Sequence, residues 1–298
     1  MIFHRLMNTK NIGIIAILFA SLMWAIEPIF AKLAYQLNSD FIQTSAIRAI
    51  TITIFVLIFL LTTKKPNLIV RKKDISSLFY LALIGTLVAD LLYFYALTKI
   101  PVINAVLIGH MQPIFIIFLG YLILKSDKIS KYDLIGISFM IISGLFVSTK
   151  TLENLSLLKF GTYGDLLVLI STIAWATTAI VMRKYLMHLN ASIITFYRFL
   201  FASIFFIFYF IATTSMIEIN IFQIFIGLIV AVGTILYYFG LKRILAAQVS
   251  GIELSAPFFA AILGFFILGE KLTGLQIVGI ILLFAGIYYI SKKEEILN

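Results

Sequence analysis

Six side chains that can carry charge stand inside stretches that are otherwise almost wholly apolar: Glu27, Arg48, Asp90, His110, Arg198 and Glu253. A charge at the centre of a bilayer costs about 2.5–3.5 kcal/mol on an insertion scale, so groups placed like this must face protein or water, or be neutral. Three kinds of chemistry stay open to them: ion pairing, contact with a polar solute, and proton carriage. As intramembrane charge pairs, Arg48 is expected to meet Glu27 or Asp90, and Arg198 to meet Glu253. Glu27, Asp90, Glu253 and His110 are the candidates for carrying a coupling proton. Lys32 and Arg183 stand at the ends of their apolar stretches and read as interfacial anchors.

Polar and aromatic neighbours extend this set. Ser21, Trp24 and Glu27 recur every three residues and so drift slowly around one helix face. Thr86, Asp90 and Tyr93 share a face, and Thr234, Tyr237 and Tyr238 lie close together. Tryptophan prefers the membrane interface, yet Trp24 and Trp175 each stand about twelve residues into an apolar stretch. With His110 and Glu253 these residues form a candidate substrate pathway, with packing between helices as the alternative reading for the tryptophans. Rings, hydroxyls and few charges suit an amphipathic or zwitterionic solute. A multiply phosphorylated one needs more buried Lys or Arg. Pro28, Pro113 and Pro257 each remove a backbone donor within a helix and are candidate hinges, or else fixed kinks. No catalytic or metal-ligating cluster is evident, and no cofactor is expected.

The elements that must position these residues follow from composition. Of 298 residues, 62% are hydrophobic and 12% charged, far from the roughly half apolar and quarter charged of a soluble domain. A spanning helix needs about 20 apolar residues. Ten such stretches are read at 12–33, 41–63, 75–97, 102–124, 134–149, 164–182, 191–213, 221–241, 246–268 and 275–290. The alternating ten-residue segments of a membrane barrel are absent. The first stretch is too long for a signal-peptide core and is read as retained. There is no cysteine, which excludes disulfides and thiolate sites.

The net charge of +10 sits in short loops, so it is a topology signal and not a nucleic-acid surface. Sixteen Lys and Arg fall on the side holding both termini and five on the other, with two inside spans. Basic loops stay cytoplasmic, which places both termini in the cytoplasm. An Ile- and Lys-rich composition points to a prokaryotic plasma membrane.

The chain repeats itself. Residues 93–124 align without gaps on 237–268 with ten identities in 32, including Tyr93/Tyr237, Pro113/Pro257 and Gly120/Gly264. Trp24 and Ala25 fall on Trp175 and Ala176, and Arg48 on Arg198. The organisation expected is a five-helix repeat over 12–149, a linker over 150–163, and a second repeat over 164–290. Five is odd, so the second repeat enters the membrane from the opposite side. Such inverted repeats hold a solute site where the halves meet and expose it to each side in turn. That favours a transporter over an intramembrane lipid-modifying enzyme, whose acids and histidines should cluster. No phosphate-binding loop for ATP hydrolysis is present.

Gly164-Asp165-Leu166-Leu167 running into Trp175-Ala176, Tyr197-Arg198-Phe199, Pro257-Phe258-Phe259, and Gly269-Glu270-Lys271-Leu272 followed by Gly279 and Gly286 resemble the EamA family of the drug/metabolite transporter superfamily. The first half echoes them with Trp24-Ala25, Arg48, Pro113-Ile114-Phe115, Gly136 and Gly144, but carries Lys125-Ser126 where the family has glycine-glutamate. The resemblance implies an all-α membrane protein of ten helices around a central cavity, lined by spans 1, 3, 4, 6, 8 and 9. It implies export or exchange of small metabolites such as amino acids, with nucleotide sugars or sugar phosphates as the alternative. The partners implied are a small-molecule substrate, the lipid bilayer, and a coupling proton or counter-substrate. Nucleic acid is not among them, and a homodimer stays open.

Overall fold

The computed structural model describes residues 9–62, 68–124, 130–159, 161–213, 218–241, 243, 252–253 and 255–297. Among them the structure is helical, without strands. The helices are α1 (Thr9–Gln36), α2 (Phe41–Thr62), α3 (Lys72–Leu97), α4 (Val102–Ile123) and α5 (Lys131–Thr149). After a one-turn helix, Leu152–Ser156, follow α6 (Tyr163–Leu186), α7 (Ala191–Thr213), α8 (Ile221–Leu241), α9 (Ser255–Leu268) and α10 (Gly274–Leu297). Seven of these, α1 to α7, carry long apolar stretches of spanning length, and three shorter apolar stretches lie in α8, α9 and α10. The expected ninth stretch began at 246; residues 246–251 and 254 lie outside the described set.

Helix starts are set by local chemistry. Ser130 and Asp133 form a reciprocal capping box on α5, and Thr162 and Asp165 form another on α6. Thr273 and Gln276 exchange the same pair of bonds at α10. Each satisfies backbone donors that a helix start leaves open. The box at Ser130 explains why α5 begins three residues before its apolar stretch.

The directions of the halves can be read from contacts at the helix ends. Lys32, near the end of α1, meets Glu270, whose carboxylate also binds the first amides of α4. Asn104, in the first turn of α4, donates to Asp165 at the start of α6. So α6 begins where α1 finishes. At the opposite end His188, just before α7, meets Asp74 at the start of α3. The start of α2, by contrast, lies beside the start of α8 through Ser39 and Asn220. The second half is therefore inverted relative to the first.

The packing obeys the same exchange. Helix α1 packs on α8 as α6 packs on α3; α2 packs on α8 as α7 on α3; α1 packs on α9 as α6 on α4. The pairs α2–α7, α4–α9 and α5–α10 map onto themselves. Thr53 and Ser203, five residues beyond the matched arginines, share a hydroxyl bond of 3.1 Å, as equivalent residues must on a two-fold axis. Between α5 and α10 the contact is backbone to backbone. A Cβ on Gly136 would lie 2.6 Å from the Gly286 carbonyl oxygen, and the Ser143 hydroxyl donates to the Gly279 carbonyl at 2.6 Å. Small residues permit this approach where helices have no hydrophobic force to drive them together in lipid.

Candidate functional site

The axis region of α2 and α7 holds two arginines, and α3 brings an acid to both. Asp90 Oδ2 lies 2.7 Å from Arg48 Nη1, and Glu27 Oε1 lies 2.7 Å from Arg48 Nε. The second contact is an ion pair that is not aligned as a hydrogen bond. Trp175 Nε1 donates to Asp90 Oδ1 at 2.7 Å. Arg198 Nη2 approaches both Asp90 oxygens at 3.3 Å. Asp90 thus joins α2, α3, α6 and α7, and with Glu27 from α1 the network draws on both halves. The Phe199 ring lies between the guanidiniums, 5.3 Å from that of Arg48 and 5.1 Å from that of Arg198.

The expected pairing of Arg48 is thus observed with both candidate acids. The expected pairing of Arg198 with Glu253 is not. Helix α7 packs on α3, and Arg198 reaches Asp90 there. Glu253 has no ion-pair partner among the described residues.

Local backbone shape helps to hold Arg198. Within α3, Leu81–Asp90 is π-helical, a widened coil that often marks functional positions. Gly85 in this stretch presents its carbonyl to Arg198 Nη2 at 3.0 Å, and Thr86 Oγ1 accepts from Nε at 2.9 Å. A Cβ on Gly85 would press on the guanidinium at 3.2 Å.

The tryptophans form a matched pair of contacts. Trp175 lies 5.2 Å from Tyr93 with rings at 51°, and Trp24 lies 5.1 Å from Tyr237 at 48°. These four residues exchange under the repeat, so each tryptophan packs on the tyrosine of the other half. The tyrosine hydroxyl one residue further on, in Tyr238, lies outside the described side chains.

Several hydroxyls of the expected pathway are already engaged by their own helices. Ser21 donates to Ile17 at 3.0 Å and Thr234 to Val230 at 2.8 Å. His110 Nδ1 lies 2.7 Å from the Val106 carbonyl; a carbonyl only accepts, so Nδ1 carries the proton. Helix α4 is interrupted at His110 and Met111, whose ψ angles are 0° and −1°. Pro113 stands in the first turn after this break, where its missing donor costs nothing. Pro257 stands near the start of Ser255–Leu268, and Pro28 lies within an unbroken α1.

A second polar centre lies apart from the expected pathway residues, around Glu270. Glu270 Oε1 accepts from the Val102 amide at 2.7 Å and pairs with Lys32 at 3.2 Å, while Oε2 accepts from the Ile103 amide at 3.3 Å. The N-cap of α4 is Pro101, which offers no side-chain cap. Gly269, at φ 68°, makes the left-handed turn that ends α9 and delivers Glu270 there. Asn104 also accepts from Gln276 at 2.7 Å. The Gly-Glu pair in the sequence marks this turn, but nothing local names its target 168 residues away.

The described helices form an all-helical membrane protein whose inverted halves are joined by a buried charge network. The profile of the EamA-like transporter family matches residues 11–149 and 162–292. The chain belongs to that family. It is 30% identical over 232 residues to an uncharacterised transporter of Synechocystis, covering 72% of this chain and 65% of that one. An uncharacterised transporter of Methanothermobacter thermautotrophicus is 29% identical over 39% of this chain and 34% of its own length. The uncharacterised transporter YyaM of Bacillus subtilis is 29% identical over 46% of this chain and 44% of its own. The matches thus span less than two thirds of these relatives. A crystal structure 14% identical in sequence superposes with a TM-score of 0.64 over 97% of this chain and 98% of that one, a likeness of fold.

Proposed function

We propose that this protein is a secondary transporter, an exporter or exchanger of small metabolites such as amino acids, working by alternating access. The observation that carries this reading is the Glu27–Arg48–Asp90–Arg198 network, contributed by both inverted halves within helices of membrane-spanning length. A purely structural role would not require charges at all, since apolar packing serves as well or better. A pathway that must admit a polar solute does require polar walls away from lipid. The ten-span arrangement would place both termini in the cytoplasm of a prokaryotic cell. Pro113, next to the break in α4, and its repeat mate Pro257 are the hinges of this scheme.

A lipid-modifying enzyme is the alternative reading, and analysis of lipid products after incubation with the purified protein tests it. A nucleotide-sugar or sugar-phosphate exchanger would need more free buried cations than Arg48, paired to two acids, and Arg198, paired to one, supply.

Counterflow in liposomes tests the reading. Purified protein, loaded inside with a mixture of unlabelled amino acids, should accumulate labelled ones transiently above equilibrium. Passive equilibration without overshoot would indicate a channel, and no uptake from mixtures of amino acids, nucleotide sugars and sugar phosphates would reject small-metabolite transport. Repeating the counterflow with an imposed pH gradient tests for a coupling proton, for which Glu27, Asp90, Glu253 and His110 are the candidate carriers.

A further inference from the structure

The geometry points to Arg198 as the docking point for a carboxylate on the solute, which competes there with Asp90. The inference names the chemistry of the solute in the transport reading above, while the binding site itself can be tested without transport.

The two arginines are mates under the repeat, but their surroundings are not. Arg48 has two ion pairs at 2.7 Å and a side chain 7% exposed. Arg198 has one acid, shared and at 3.3 Å, and a side chain 25% exposed. The cause is in the sequence. The repeat places Thr178 at the position matching Glu27 and Thr234 at the position matching Asp90. Both threonines bond their own helix backbone, at 2.7 and 2.8 Å. The second half therefore supplies an arginine without an acid of its own.

That exposure has a direction. A guanidinium in mid-span does not face hydrocarbon without a large cost, so the open part of Arg198 faces water or solute. Phe199 covers one face of the guanidinium. Nε and Nη2 donate to Thr86, Gly85 and Asp90, whereas no hydrogen bond donated by Nη1 occurs among the described residues. The approach left is along the Nη1–Nη2 edge, the fork that matches the two oxygens of a planar carboxylate. Asp90 already accepts short bonds from Arg48 and Trp175, so it can give up its long bonds to Arg198 and remain satisfied.

Trp175, bonded to Asp90 and packed on Tyr93, offers an apolar wall next to that acid. One half-free guanidinium suits a single negative charge; a phosphate dianion calls for more donors. Two acids and two arginines already balance in the network, so a solute that brings its own cation, a zwitterion, adds a carboxylate without net charge.

Arginine modification tests this directly on wild-type protein in detergent. Phenylglyoxal is added and each arginine is followed by mass spectrometry. Arg198 is expected to react and Arg48 to be protected. Four arms then add a mixture of neutral L-amino acids, a mixture of simple monocarboxylates, the corresponding neutral amides, or inorganic phosphate. Protection should slow labelling roughly tenfold when ligand stands near ten times its dissociation constant.

Protection by amino acids alone identifies a zwitterion site, and protection by both carboxylate arms shows that a carboxylate suffices. No protection, equal protection by the amides, or protection by phosphate alone would overturn the assignment, as would labelling of Arg48 in preference to Arg198. The Arg198→Lys variant, which keeps the charge but loses the fork, provides a second measure: stabilisation of the folded protein by the protecting mixture should disappear. Protection without counterflow would leave the anion site standing and remove the transport reading; counterflow without protection would do the reverse.

Discussion

Asp90 is held by donors from three helices, and its loss should be felt in all of them. In Asp90→Asn the shape is kept but the charge is gone: among the described residues Arg48 keeps only Glu27 as an acid partner, and Arg198 keeps none. Breaking a buried ion pair from one side costs about 3–5 kcal/mol, so a clear fall in melting temperature in detergent is expected. Glu253→Gln should leave it unchanged or raise it, because an acid with no cation partner among the described residues contributes desolvation cost without the compensation of an ion pair. Equal effects of the two substitutions would remove Asp90 from the centre of the network. At this scale the sequence showed which residues were out of place in lipid and roughly how deep they lay. It did not show which helices were neighbours. Arg198 was expected to meet Glu253, whereas in the fold it reaches Asp90 on α3, a neighbour that no sequence spacing names.

Among the elements, helix ends and glycine contacts divide sharply in how readable they are. The spacing of Ser130 and Asp133, of Thr162 and Asp165, and of Thr273 and Gln276 announces three helix starts from local chemistry alone. The seven helices of spanning length were legible as well, since a run of about twenty apolar residues fits the thickness of a bilayer. The start of α4 was not, because its cap comes from Glu270 across the fold. Glycines need the partner surface before they can be interpreted. Gly286 lies against Met140 and the Gly136 carbonyl, with an added Cβ at 2.6 and 2.8 Å, whereas one at Gly274 meets nothing within 4 Å. Gly286→Leu must therefore push α10 off α5, at a cost of about 1–3 kcal/mol or more for overpacking. Gly274→Leu should be near neutral by the same melting measurement. If both destabilise alike, backbone flexibility and not close approach explains these glycines.

For the whole molecule, the departures from two-fold symmetry carry more information than the symmetry. Exchange of the halves maps Glu270 onto Ser126, so the carboxylate that ties α9 to α4 and Lys32 at one end has no acid at the matching position. The Glu270 end is held by an ion pair and two backbone bonds. A different set, Asp74 with Arg71 and His188, joins α3 to the segment before α7 at the other. Alternating access requires each end to open in turn, and ends held by different bonds need not open at equal cost. Glu270→Gln removes the charge that favours a helix start and the pairing with Lys32, while its amide oxygen still accepts one bond. Loss of a cap of this kind is worth about 1–2 kcal/mol, which is roughly tenfold in a local opening equilibrium. Hydrogen exchange followed by mass spectrometry should show the amides of Val102 and Ile103 exchanging about that much faster, with those around Asp74 unchanged. Faster exchange at both ends would mean that Glu270 supports the bundle as a whole. No change at Val102 and Ile103 would mean that the α4 start is held by packing, and the two ends would then have to be distinguished by something other than this carboxylate.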